Sequence, residues 1–170
     1  VRIVTAGETA YGDRGVYDVD NAILVLTGKK VRLVTSSDEV IADEQLEYWE
    51  RKQMAVARGH AQVFSDNKKL TADVIVAYFK KNKAGKSAIH RVEAFDNVAV
   101  KTSKERATSD RGVYTVKSGI ATLTGSVKIA RDGNQLDGCK AEVNMNTGIS
   151  KMFSCVGQGG GQVGGVFNLG

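Results

Sequence analysis

The chain has 170 residues, of which 42% are hydrophobic and 25% charged, values that exclude wholesale disorder and favour one packed folding unit. It contains no run of about 18 apolar residues, so the sequence itself offers no membrane-spanning helix. The net charge of +5 comes from scattered Lys and Arg, with short clusters at Lys80-Lys81 and from Lys101 to Arg106. It reads as a solvated face that favours an anionic partner without choosing one.

From the first residue onward the chain reads as short strands. Val1-Arg2-Ile3 opens directly into an apolar-polar-apolar pattern, and the same kind of tripeptide returns as Val31-Arg32-Leu33, Ala61-Gln62-Val63, Val98-Ala99-Val100 and Val127-Lys128-Ile129. Successive starts are 30, 30, 37 and 29 residues apart. Gly28, Gly59, Asp96-Asn97 and Gly125 precede the last four and supply the backbone freedom of a turn or bulge. The first copy lacks this leader, so residues are expected before Val1, and any export signal has been removed or lies outside this sequence.

A second marker follows each tripeptide: Gly12-Asp13 to Tyr17, Ala42-Asp43 to Tyr48, Ala72-Asp73 to Tyr78 and Ser109-Asp110 to Tyr114, with Asp137-Gly138 to Val143 as a degenerate fifth copy. The first and fourth copies share Asp-Arg-Gly-Val-Tyr and Leu-Thr-Gly almost literally, at 13–17 with 26–28 and at 110–114 with 123–125. Each unit alternates apolar and polar residues and is rich in Val, Ile, Thr and Tyr, which predicts two antiparallel strands per unit and about eleven in all. Turns fall at Ser36-Ser37-Asp38, Ser65-Asp66-Asn67 and Arg131 to Asn134, and at Asp20-Asn21, Asn82 to Gly85 and Asn146-Thr147-Gly148. The absence of proline suits a laddered chain. The longer third interval predicts an extended hairpin or a bulge between Lys80 and Phe95. These units make one domain over 1–156. Residues 157–170, half of them glycine, are expected to form a flexible tail, with a last strand through Val163, Val166, Phe167 and Leu169 as the alternative.

Few residues point to chemistry. Cys139 and Cys155 are the only cysteines and flank the Asn146-Thr147-Gly148 turn, so a hairpin closed there would bring them together as a disulfide, which needs an oxidising compartment. The alternative is two buried thiols. Neither has a partner at zinc-ligand spacing, so no metal is expected. His60 and His90 stand apart from any nucleophile or carboxylate set and read as surface residues. The Gly159 to Gly164 stretch matches a dinucleotide fingerprint only formally, with no helix to follow. The Asp at 13, 43, 73 and 110 reads as a turn residue rather than a calcium ligand. Trp49 and the repeated tyrosines read as packing rather than base stacking, so nucleic acid is not an expected partner. Neither catalysis nor a cofactor is expected. Ala22 to Leu26 and Val74 to Phe79 are apolar on both faces, so these strands are either sandwiched or meet lipid.

Repeats of the form Gly125-Ser126-Val127-Lys128-Ile129 and Ala42-Asp43 to Tyr48 resemble the OstA-like (LptA-like) domain family of lipopolysaccharide transport, over roughly Val1 to Met152. The resemblance implies an all-β, antiparallel, twisted and open β-jellyroll in the periplasm of a Gram-negative cell, peripheral to membranes and not spanning them. It implies that an apolar groove holds the acyl chains of lipid A, and that LptC-like and LptD-like domains and further copies join end to end through their edge strands. Matched onto the repeats, the groove candidates are Ile3, Ile23, Leu26, Val31, Leu33, Val63, Val98, Val100, Ile120, Leu123, Val127 and Ile129. Lys68 reads as an outward position. An OstA-like domain of LptC or LptD is an alternative within the family. Outside it, the rival is a structural β-repeat scaffold with a dry core and no lipid.

Overall fold

The computed structural model describes residues 1–5, 7–65, 68–81, 83–85, 87–155 and 163–168. Fifteen strands are seen among them: β1 Arg2–Thr5, β2 Glu8–Tyr11, β3 Arg14–Asp18, β4 Ile23–Thr27, β5 Val31–Thr35, β6 Asp38–Ala42 and β7 Gln45–Trp49 are short. After a 3-10 turn at Glu50–Lys52 come β8 Met54–Ser65, β9 Lys68–Lys81, β10 Ser87–Lys101, β11 Arg106–Thr115, β12 Ile120–Arg131 and β13 Asn134–Asn144, then the short β14 Ile149–Phe153 and β15 Val163–Asn168. All pairings are antiparallel, and they build one open sheet.

The sheet is creased lengthwise into two facing leaves. Each long strand crosses the crease and changes register there, at Arg58/Ala61, Phe95/Val98, Thr108/Arg111 and Thr124/Val127. Such bulges bend a strand and raise its twist. Early in the chain the bend breaks the strand outright, so β2 and β3, β4 and β5, and β6 and β7 each stand where a later repeat has one long strand. This division is why fifteen strands are seen where the repeat pattern predicts about eleven. The first leaf runs β1-β2-β5-β6 and continues into the end of β8, the start of β9 and onward. The second runs β3-β4-β7 into the start of β8 and onward.

The repeat markers explain the crease. Gly59-His60, Asp96-Asn97 and Gly125-Ser126 all have positive φ there, the left-handed conformation that a bulge requires. The Asp of the second marker faces these residues across the neighbouring strand: the Lys29 backbone N–H donates to Asp13 Oδ2 (3.1 Å) and Asn97 Nδ2 donates to Asp73 Oδ2 (2.9 Å). Gly125, at φ +80°, lies so close to Asp110 that a Cβ would meet its Oδ2 at 2.5 Å. The extra residues of the third interval extend the hairpin of β9 and β10, the two strands of 14 and 15 residues, and add a register shift between Ile89 and Arg91.

Between the leaves lies the core. Strand alternation sends Leu24, Leu26, Leu46, Ile75 and Leu123 inward from the second leaf and Val31, Leu33, Val40, Val127 and Ile129 from the first. Alanines at 42, 55, 57, 61, 77, 94 and 141, all at most 1% exposed, let the leaves approach closely. Gly112 serves the same end, since a Cβ there would press on Leu123 Cδ2 (3.1 Å) and Val98 Cγ1 (3.3 Å). Val74, Val76 and Tyr78, the outward members of the doubly apolar stretch, are only half-buried.

Cys139 and Cys155 are bonded to each other, with Cα atoms 4.9 Å apart. The ladder of β13 and β14 pairs Lys140 with Phe153, which places Cys139 opposite Ser154 rather than Cys155. The bond forms because the chain leaves the ladder after Phe153. Within the glycine-rich stretch, Val163–Asn168 pair with β14; Leu169 and the other residues from 156 to 170 lie outside the described ones, as do Asp66, Asn67 and Asn82 of the expected turns.

Candidate site between the leaves

Opposite the crease, the hairpin turns of the two leaves form a long mouth. From the first leaf come the turns after β1, β5, β8, β10 and β12; from the second come those after β3, β7, β9, β11 and β13. Counted from the start of its tripeptide, each first-leaf turn carries the same position seven residues on: Glu8, Asp38, Lys68, Glu105 and Asn134. The three acids are 7%, 9% and 7% exposed, low values for carboxyl groups at a turn.

All three reach the second leaf. Ser87 Oγ donates to Glu8 Oε1, the Ile89 backbone N–H donates to Asp38 Oδ2 at 3.3 Å, and Ser150 lies on Glu105 with its Oγ 3.3 Å from Oε1. Local chemistry aims two of them. The Thr35 hydroxyl accepts from the Asp38 N–H (3.0 Å), and the Thr102 hydroxyl accepts from the Glu105 N–H (3.2 Å), so a Thr-x-x-acid turn rolls the carboxyl inward in both hairpins. Burial, together with a hydrogen bond to Glu8, holds the Tyr48 phenol well above its usual range. Burial pushes the Glu105 carboxyl up to about 7, against the weaker opposing pull of the Ser150 hydroxyl and Arg131. Its second oxygen is buried without a hydrogen-bond partner.

Between the Asp38 and Glu105 contacts the leaves part over a narrow cleft of about 70 Å³ that is open to solvent at its mouth. Its walls are mostly apolar: Val63, Leu70 and Val100 from the first leaf, Ile89, Val92, Tyr114 and Met145 from the second, with Asp38, Ser65, Lys68 and Lys69 as the polar members of the lining. Lys68, read as outward from the sequence, belongs to this lining, because it has the strand parity of the inward Leu70 and Ala72.

The sequence-predicted groove residues divide into three groups. Val63 and Val100 line the cleft. Leu26, Val31, Leu33, Val98, Leu123, Val127 and Ile129, each at most 2% exposed, are packed in the closed core, and Ile3 is partly buried against it. Ile23 and Ile120 are corrections. Each stands three residues from an inward leucine, and along a strand an odd offset reverses the face, so both lie half-buried on the outer surface while Leu26 and Leu123 fill the core. Missed were the acids of the mouth and the cleft residues Leu70, Ile89, Val92, Tyr114 and Met145. The recurring acid seven residues after the tripeptide was the available signal for the former.

His60 and His90 are exposed. Among the described residues no helix is long and apolar enough to cross a membrane, which says nothing of membrane barrels.

Three comparisons bear on this arrangement. The family described as LptA/(LptD N-terminal domain) LPS transport protein matches residues 39–149, a span that holds nearly all of the cleft lining. An uncharacterised protein of Rhizobium meliloti (strain 1021) is 24% identical over 123 residues, 69% of this chain and 66% of the relative, so the chain spans about two thirds of that protein's length. The crystal structure of LptH, the LptA-homologous periplasmic component of the lipopolysaccharide transport device of Pseudomonas aeruginosa, superposes with a TM-score of 0.61 at 20% identity. That likeness covers 72% of this chain and 85% of LptH, and it shows a shared β-jellyroll fold.

Proposed function

Because the chain belongs to the LptA/LptD N-terminal-domain family of LPS transport proteins, we propose that it carries lipopolysaccharide across the periplasm with acyl chains held between its two leaves. The observation that carries this reading is the apolar cleft at the mouth, open to solvent and walled by both leaves. An acyl chain entering it gains about 0.8 kcal/mol per buried CH₂, so a diffuse apolar wall suffices.

The closed core bears on how this works. Seven of the groove candidates are packed away from solvent, so a lipid with several chains needs the leaves to part along the mouth. The crease permits that motion, since it joins the leaves along one side only. The Cys139–Cys155 disulfide suits an oxidising compartment such as the periplasm.

End-to-end assembly with similar domains is part of the same reading. Among the described residues β1 and β3 each pair on one side only, and β3 is exposed along its whole length, with Val16 and Tyr17 53% and 47% exposed. β15 is the last strand of the second leaf. Edge strands of this kind would let similar domains, LptC-like and LptD-like ones included, continue the ladder end to end.

The packed core also favours a second reading, a scaffold that binds no lipid. Photocrosslinking in cells that make lipopolysaccharide separates the two. A photoreactive residue at Val63, Val100 or Met145 is expected to capture lipopolysaccharide, whereas one at Lys128, on the outer face, is not. Capture at neither set, with folded protein and functioning transport, would establish the dry scaffold.

A further inference from the structure

The row of repeat-equivalent residues along the mouth departs from an acid twice, at the exposed Asn134 of the last copy and at Lys68. Where the position is acidic, at Glu8, Asp38 and Glu105, the carboxyl is buried and bonded across to the second leaf. At the third hairpin it is a cation, Lys68, and there the mouth stands open over the apolar cleft. One sequence position thus closes the mouth in three copies and leaves it open in a fourth.

We infer that the third hairpin is a portal, at which a phosphorylated amphiphile seats its head group on Lys68 and passes an acyl chain into the cleft. This rests on the reading that the chain carries an amphiphile, and it names the place and the head-group chemistry. The two halves of such a ligand match what the portal offers. The walls below the rim are apolar, from Val63, Leu70, Ile89, Val92 and Val100, and the rim presents an ammonium in the position that elsewhere presents a carboxylate. Beside it, Asp38 is turned to the Ser37 hydroxyl (3.0 Å) and the Ile89 N–H (3.3 Å), so its charge is engaged within the protein. Lys69 also belongs to the cleft lining, but its ammonium lies 5.4 Å from the Phe64 ring on the other face, so Lys68 is the cation with inward parity at the start of that strand. The same position as an acid would bridge the mouth and repel an anionic head at once.

Calorimetric titration of the full chain with dodecyl phosphate, dodecyl phosphocholine and dodecanoate tests the portal. The chain is expected to bind the phosphate about tenfold more tightly than the zwitterion of equal chain length. Lys68→Glu should abolish that preference, Lys68→Arg should keep it, and Lys128→Glu, the same charge change on the outer face, should leave it unaltered. Lys68→Gln serves should the Glu variant fail to fold, with circular dichroism as the check. Equal binding of phosphate and zwitterion, or equal losses from the changes at 68 and 128, overturns the portal but leaves amphiphile carriage standing. Dodecanoate binding as tightly as the phosphate overturns the assignment of a phosphorylated head. Failure of the unaltered chain to bind any of the three overturns the carriage reading along with the portal.

Discussion

Glu8 and Ser87, 79 residues apart in sequence, meet across the mouth, where the serine hydroxyl donates to a carboxylate that also bonds Tyr48. This contact ties the first hairpin of one leaf to the start of the longest strand of the other. Ser87→Ala removes a donor from a buried acceptor and should lower unfolding free energy by about 1–2 kcal/mol, measured in urea. It should also raise hydrogen exchange at the N-terminal end of β10. Unchanged exchange there would mean that the contact does not hold the mouth.

Glu105 gives the protein an unusual pH dependence. Its carboxyl is raised from 4.5 to about 7 by burial, so the folded state binds the proton more tightly than the unfolded one. The contribution is fully present below about 4.5 and is lost as pH rises through 7, the reverse of a salt-bridged carboxylate. Glu105→Gln, neutral throughout, should therefore be more stable than the parent at pH 8, by on the order of 2 kcal/mol, and nearly equal to it at pH 4. Melting curves at the two pH values decide the matter; a pH-independent difference would place the acid in solvent.

At the crease, Gly125→Ala should be costly. The residue sits at φ +80° with Asp110 against the space a Cβ would fill, so strain and a clash add to about 2 kcal/mol or more. The double change Gly125→Ala with Asp110→Ala should recover part of the loss by removing the clash. No recovery in denaturant melts would assign the whole cost to the backbone.

Reduction of Cys139–Cys155 should destabilise the end of the sheet. A bridge that closes a loop of sequence separation 16 contributes about 3 kcal/mol in the chain-entropy account. Cys155→Ser should lower the melting temperature, and adding a reductant should then change nothing further. A melting temperature equal to that of the oxidised parent would show the bridge to be neutral.

Repetition is what makes the fold legible in the sequence. The tripeptides, the glycine leaders and the Asp-to-Tyr markers each occupy one place in the leaf, the crease or the next leaf, because a repeat must bury the same face in every copy. The split of β2 from β3 is not legible, since whether a bend keeps or breaks its ladder depends on backbone geometry that composition does not encode. The site is half legible. Val63 and Val100 emerge through repeat position, whereas Ile23 and Ile120 are misplaced when an apolar run is treated as one face, because its period is two. Glu8, Asp38 and Glu105 escape notice because an acid in a turn is ordinarily solvated, and their burial comes from the facing leaf, which local sequence does not encode.

The crease has a consequence for how such a protein can change in evolution. Every long strand passes through it, so each repeat brings its own segment of both walls and of the bend between them. A duplication or loss of one unit of about 30 residues therefore alters the length of the enclosed space while its cross-section stays as it was. A lineage could thus lengthen or shorten the space between the leaves by counting repeats, with no redesign of the packing inside each one.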